Sequence, residues 1–161
     1  MESGFSEKAA IKLLHSLFIM EGEGAALATV DMGIIDMYSG VCDFLKLGAA
    51  STYLKRDDCV EVFHSTSMPL SGEEILDMET TTKKLFHGDF VIMMSDGIIE
   101  AAARQNKEQI IDDIILNLES KRPQDMADEI LNKTMKELGD IIRHDDISRR
   151  YCCIKIGLGN N

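Results

Sequence analysis

A chain of 161 residues with 45% hydrophobic content carries enough apolar material for one domain-sized core, and its length does not ask for a second domain. Twenty-eight Asp and Glu against 17 Lys and Arg leave a net charge of -11, which sets the chain's own field against a phosphate backbone and excludes nucleic acid as a partner. No apolar run approaches the roughly 18 residues of a membrane span, and the first residues lack the basic-then-apolar order of a signal peptide, so the segment reads as soluble with no membrane contact of its own.

The first predicted element is a helix capped by Ser6 and running to about residue 20, where Ala10, Ile11, Leu14, Leu17 and Phe18 share one face and Gly22 and Gly24 stop it. Residues 28–36 and 41–47 follow as a hairpin around Met37-Tyr38-Ser39-Gly40, with Gly40 suited to a left-handed turn position. Residues 53–55 and 59–63 make a second hairpin around Arg56-Asp57-Asp58. Residues 77–85, with the run Thr80-Thr81-Thr82, form a further strand, which His87-Gly88-Asp89 turns into residues 90–94. The unbroken Phe90-Val91-Ile92-Met93-Met94 reads as a strand buried on both faces.

Helices dominate the later chain: a short one over 98–103, one over 107–118 with Ile110, Ile111, Ile114, Ile115 and Leu118 on a stripe, and one opened by Pro123 that uses Ala127, Ile130, Leu131 and Leu138. A last strand over 151–156 must return to the sheet. The expected architecture is therefore α+β: one domain over 1–161, with a leading helix over 5–21, antiparallel strands over 28–98, helices over 98–140 and a final strand. Cys42, Cys59, Cys152 and Cys153 show no C-x-x-C pair, which fits reduced thiols in a cytoplasmic setting better than a disulfide framework or a zinc knuckle. The ten methionines read mainly as core filling.

Two places could carry chemistry. Ser95-Asp96-Gly97 closes the buried strand with a carboxylate, and glycine there lets backbone approach a ligand; the competing reading is an Asp-Gly hairpin turn. His144-Asp145-Asp146 precedes the last strand and would bring acids beside Asp96 if the two strands are neighbours; the competing reading is a solvated acidic turn. Mg²⁺ or Mn²⁺ needs only one or two protein carboxylates per ion, so aspartates from separate strand ends suffice for a site. Gly22-Glu23-Gly24 does not follow a strand and is not a phosphate loop.

Ala28-Thr29-Val30-Asp31, Phe44-Leu45-Lys46-Leu47-Gly48, Met68-Pro69-Leu70, Gly88-Asp89, Met93-Met94-Ser95-Asp96-Gly97-Ile98 and Asp145-Asp146-Ile147-Ser148 together resemble the ordered motifs of type 2C (PPM) protein serine phosphatases. Within them the chain is most similar to the stage II sporulation protein E branch, especially at Lys46-Leu47-Gly48, Tyr53-Leu54-Lys55-Arg56 and Gly88 through Gly97. The resemblance implies an α/β/β/α sandwich of two antiparallel sheets flanked by helices. It also implies phosphoserine hydrolysis with two Mn²⁺ or Mg²⁺ ions in the complete domain and no phosphoenzyme.

Carried over, the match makes Asp96 and Asp145 metal ligands, with Asp146 in a supporting position and Gly97 allowing close packing at the metal rim. The implied partner is a phosphoserine-containing anti-sigma-factor antagonist. The helix over 5–21 is similar to one of two switch helices of that branch; core packing is the plain reading of its apolar face, and a switch or homodimer contact the other. The family's first motif, an Asp-Gly on an early strand, has no counterpart, since Asp96-Gly97 is the sole Asp-Gly. The chain is expected to start after that motif. A catalytically inactive phosphatase-like module that binds a regulatory partner is the alternative function.

Overall fold

The computed structural model describes residues 7–20, 27–57, 59–71, 78, 80–95, 108–138 and 151–155. They form helix α1 (Glu7–Met20), strands β1 (Val30–Ile35), β2 (Val41–Leu47), β3 (Thr52–Lys55), β4 (Val60–Phe63), β5 (Thr80–Lys84) and β6 (Phe90–Met94), helices α2 (Glu108–Leu116) and α3 (Pro123–Leu138), and strand β7 (Tyr151–Lys155). The strands make two antiparallel sheets, one ordered β1-β2-β5 and the other β4-β3-β6-β7.

Strand parity explains the layering. On β2, Cys42 and Phe44 face the second sheet, where they meet its Leu54, Phe63 and Val91 together with Leu85, which follows β5. Leu45 and Leu47 face the other way and meet Ile11 of α1 and Leu70. On β6, Val91 joins the layer between the sheets while Phe90, Ile92 and Met94 pack against Ile111, Ile114 and Ile115 of α2 and Met126 and Ile130 of α3. The order of layers is thus α1, sheet, sheet, α2 with α3, and β6 is buried on both faces as its unbroken apolar run requires. Truncating Ile92, fully buried, to Ala would cost about 2–5 kcal/mol.

The turns have local causes. Asp36 accepts from Tyr38 N at 2.9 Å and from Ser39 Oγ at 2.6 Å, and Gly40 takes φ 72°, which closes the β1–β2 hairpin. Gly88, at φ 96°, and Asp89, whose carboxylate accepts from Phe86 N at 2.9 Å, shape the turn into β6. Tyr53 and Lys55 fasten α2 onto the second sheet: Tyr53 OH donates to Asp112 at 3.1 Å, and Lys55 Nζ donates to Leu116 O at 3.0 Å, placing a cation at the helix's carboxyl end.

Three expectations change. Strand β1 begins at Val30, because Ala28 instead exchanges two backbone hydrogen bonds with Leu70, at 3.0 and 2.8 Å. Strand β5 is shorter than 77–85, and its threonines are exposed on an edge. The apolar face assigned to α1 is buried only in part: Ile11 of that face lies under the helix together with His15, one turn on, while Ala10, Leu14 and Leu17 are exposed. Ile11 packs in a cluster with Leu45 and Leu47 of β2 and Leu70, against which Val30 and Met32 of β1 and the flanking Ala28 and Met78 also lie. The short helix expected over 98–103 lies outside the described residues. Among the described residues, no helix is long and apolar enough to cross a membrane.

Candidate functional site

The carboxyl end of β6 fixes which end of the sandwich matters. Met94, its last residue, is the Cα partner of Tyr151, the first residue of β7. Strands β6 and β7 are therefore neighbours, the condition set for the segments carrying Asp96 with Gly97 and Asp145 with Asp146 to come together. These four residues lie outside the described ones. On the other side of β6, Met93 pairs with Thr52, the first residue of β3, and a short link joins β3 to Leu47 at the end of β2. Val30, which opens β1, pairs with Leu47. The starts of β1, β3 and β7 and the ends of β2 and β6 thus gather at one end.

That end is polar inside. Thr52, fully buried, donates from Oγ1 to Asp31 Oδ2 at 2.8 Å and accepts from Lys46 Nζ at 2.7 Å. The ammonium also lies 2.7 Å from Asp31 Oδ1; that oxygen accepts no hydrogen bond of good geometry, so the adjacent charge is what offsets its burial. Burial pulls the pKa of Lys46 below the usual lysine value, and the adjacent carboxylate of Asp31 opposes that.

A second lock sits beside it. Gly48 takes φ +58° and packs against Pro69, donating N–H to Ser67 O at 3.0 Å, so Lys46-Leu47-Gly48 and Met68-Pro69-Leu70 form a single structural unit.

The opposite end holds a different polar cluster. Arg56 reaches Glu61 at 2.5 Å, Asp89 at 3.3 Å and Lys84 O at 2.9 Å, and lies over the Phe86 ring at 5.6 Å; Glu61 also meets Lys83 at 2.7 Å. Arg56 thus ties the β3–β4 hairpin to the turn before β6 and stands at the far end of β3 from Thr52. Sequence reasoning missed both clusters. The signal for Lys46 was its parity with Cys42 and Phe44, which puts it between the sheets.

Among the described residues no group of three His, Cys, Asp or Glu could hold a metal ion. The described donors thus do not themselves fit a metal. They frame the sheet end from which the aspartate-bearing segments depart.

The stage II sporulation protein E (SpoIIE) family model matches residues 1–151. Stage II sporulation protein E of Bacillus subtilis (strain 168) is 31% identical over 146 residues, covering 90% of this chain and 18% of that protein. The Priestia megaterium protein of the same name is 27% identical over the same length, covering 25% of its own. The chain therefore spans about a fifth to a quarter of the curated relatives it matches.

The phosphatase domain of the cell fate determinant SpoIIE from Bacillus subtilis, presoaked with Mn, superposes with a TM-score of 0.70 at 29% identity, covering 99% of this chain and 71% of that one. The PP2C phosphatase domain of the same protein with a fragment of its regulatory domain gives 0.76 at 27% identity, covering 96% and 45%. The two sheets between helical layers are thus the α+β fold of a PP2C phosphatase domain. The chain belongs to the stage II sporulation protein E family.

Proposed function

We propose that this chain is the later part of a metal-dependent protein serine phosphatase domain that takes Mn²⁺ or Mg²⁺ and hydrolyses phosphoserine on a partner protein, an anti-sigma-factor antagonist, in the cytoplasm. Family membership supports the phosphatase class, and the relative presoaked with Mn supports the choice of metal. The observation that carries the reading is the pairing of Met94 with Tyr151, which brings the ends of the two aspartate-bearing segments to neighbouring positions. In this proposal Asp96 and Asp145 supply ligands, Asp146 and Gly97 support them, and β6 and β7 set their spacing. A bound divalent cation supplies an activated water near neutral pH and offsets phosphoryl charge.

The test is Mn²⁺-dependent hydrolysis of a phosphoserine peptide by the full-length protein. Asp96→Asn and Asp145→Asn should each lower the rate by at least about a hundredfold and weaken Mn²⁺ binding. Unimpaired hydrolysis in Asp96→Asn would sink the assignment. Failure of the unmodified full-length protein to bind Mn²⁺ would favour the inactive, partner-binding module, a reading motivated by the sole Asp-Gly of the chain.

A further inference from the structure

The layer between the sheets runs from apolar to ionic. On its three inward-facing rows, β1 places Ile35 and Asp31, β2 places Cys42, Phe44 and Lys46, and β3 places Leu54 and Thr52. The apolar members fill the middle and the far end, and the sequence of rows stops at Asp31, Lys46 and Thr52, where β6 ends. A fully buried threonine, a lysine only 6% exposed and a carboxylate 16% exposed are an expensive way to close an interior that Val and Leu would fill. Their one structural distinction is position: they bond β1 and β2 of one sheet to β3 of the other, and Thr52 stands directly across from Met93, two residues before Ser95.

We propose that Lys46, with Asp31 and Thr52, is a positioning element for the metal end, a polar strut that fixes the spacing of the two sheets where β6 delivers the segment carrying Asp96. An apolar contact is non-directional and lets two sheets slide; the bonds of Thr52 from Lys46 at 2.7 Å and to Asp31 at 2.8 Å, each with a charged partner, do not. A shift of a few tenths of an ångström at Thr52 passes to Met93 through the β3–β6 ladder, and a hard cation tolerates little misplacement of its carboxylates. None of the three residues touches substrate or metal in this account; they act through β3 and β6.

The inference rests on the phosphatase reading for its metal readout, so the experiment has two arms on the full-length protein. Hydrogen exchange read by mass spectrometry compares Lys46→Met, Thr52→Val and Thr52→Ser with Leu85→Ala, which opens a cavity at the apolar far end of the same layer. Lys46→Met and Thr52→Val are expected to speed exchange over residues 93–95 more than over the rest of the core, while Thr52→Ser, which keeps the hydroxyl, restores it. Mn²⁺ affinity measured by calorimetry should fall roughly tenfold or more in the first two variants and hold in Thr52→Ser and Leu85→Ala, the scale seen when groups that orient ligands are removed. Uniformly raised exchange in Lys46→Met, matching Leu85→Ala, overturns the strut, as does a Thr52→Ser variant that behaves like Thr52→Val. Unchanged Mn²⁺ affinity in both polar-to-apolar variants overturns its link to the site. Absence of Mn²⁺ uptake by the unmodified protein counts against the phosphatase reading, and the exchange arm still decides the strut.

Discussion

Gly48→Ala separates the two reasons for glycine at the end of β2. Gly48 has φ +58°, where an L-residue pays about 1–2 kcal/mol. A Cβ would also overlap Pro69 Cγ and stand 2.6 Å from its Cδ and 2.7 Å from its N. Overlap of that kind in a packed region costs about 1–3 kcal/mol, so the total is about 2–5 kcal/mol. Pro69→Ala removes Cγ and Cδ and leaves the backbone nitrogen, so it relieves only the ring's share. Equilibrium urea unfolding of the four forms should therefore give Gly48→Ala a smaller cost in the Pro69→Ala background, with a coupling of about 1 kcal/mol. Two results would refute the reasoning: a Gly48→Ala cost below about 1 kcal/mol, or strict additivity, which would mean that Pro69 is not what the new methyl meets.

Two further outcomes follow from titratable groups. Burial alone would raise the pKa of Glu129, but Lys133 at 2.6 Å, the hydroxyl and N–H of Ser120 and the N–H of Glu119 outweigh it and hold the group at about 2. Its stabilisation is complete above its ordinary value of 4.5 and is lost as the pH falls toward 2. Solvent screening reduces it to about 1–2 kcal/mol, so Glu129→Gln should flatten the loss of thermal stability between those limits, and an unchanged acid limb would contradict the assignment. Burial pushes the Cys42 thiol up to about 11, whereas Cys59 is exposed. Iodoacetamide at pH 8 should alkylate Cys59 in the native protein and Cys42 only after unfolding, as peptide mass mapping would show; equal rates would mean that the layer between the sheets opens readily.

Much of this fold is legible because the strands obey parity and the turns carry their own chemistry. Phe90 to Met94 is apolar at every position, and only a strand between two cores needs that. Gly40 and Gly88 mark turns that require positive φ, and both adopt it. Helix α1 shows where periodicity stops being informative. Two rows run along it, Ile11 with the polar His15 and the apolar Leu14 with Leu17, and nothing local says which row the sheet will cover. That choice is made by Leu45, Leu47 and Leu70, which are distant in sequence, and a histidine on the buried row hides the signal.

The candidate site divides in the same way. The order of motifs pointed to Asp96 and Asp145, which lie outside the described residues, and the β6–β7 register establishes only that the strands they flank are neighbours. What could not be read was why Asp31, Lys46, Gly48, Thr52 and Pro69 occur in one chain, since a lysine in a strand ordinarily marks the wet face. In three dimensions they are two locks on a single end: Gly48 seats Pro69 where β2 leaves its sheet, and Lys46 joins Asp31 to Thr52 where β3 enters the other. Arg56 makes the equivalent tie at the far end, through Glu61 and Asp89, but partly in solvent, where ion pairs contribute little. Both ends therefore bury a charge, Lys46 beside Asp31 at one and Asp89 beside Arg56 at the other, but at the first the cation itself is buried and bonds the two sheets, whereas Arg56 stays partly in solvent.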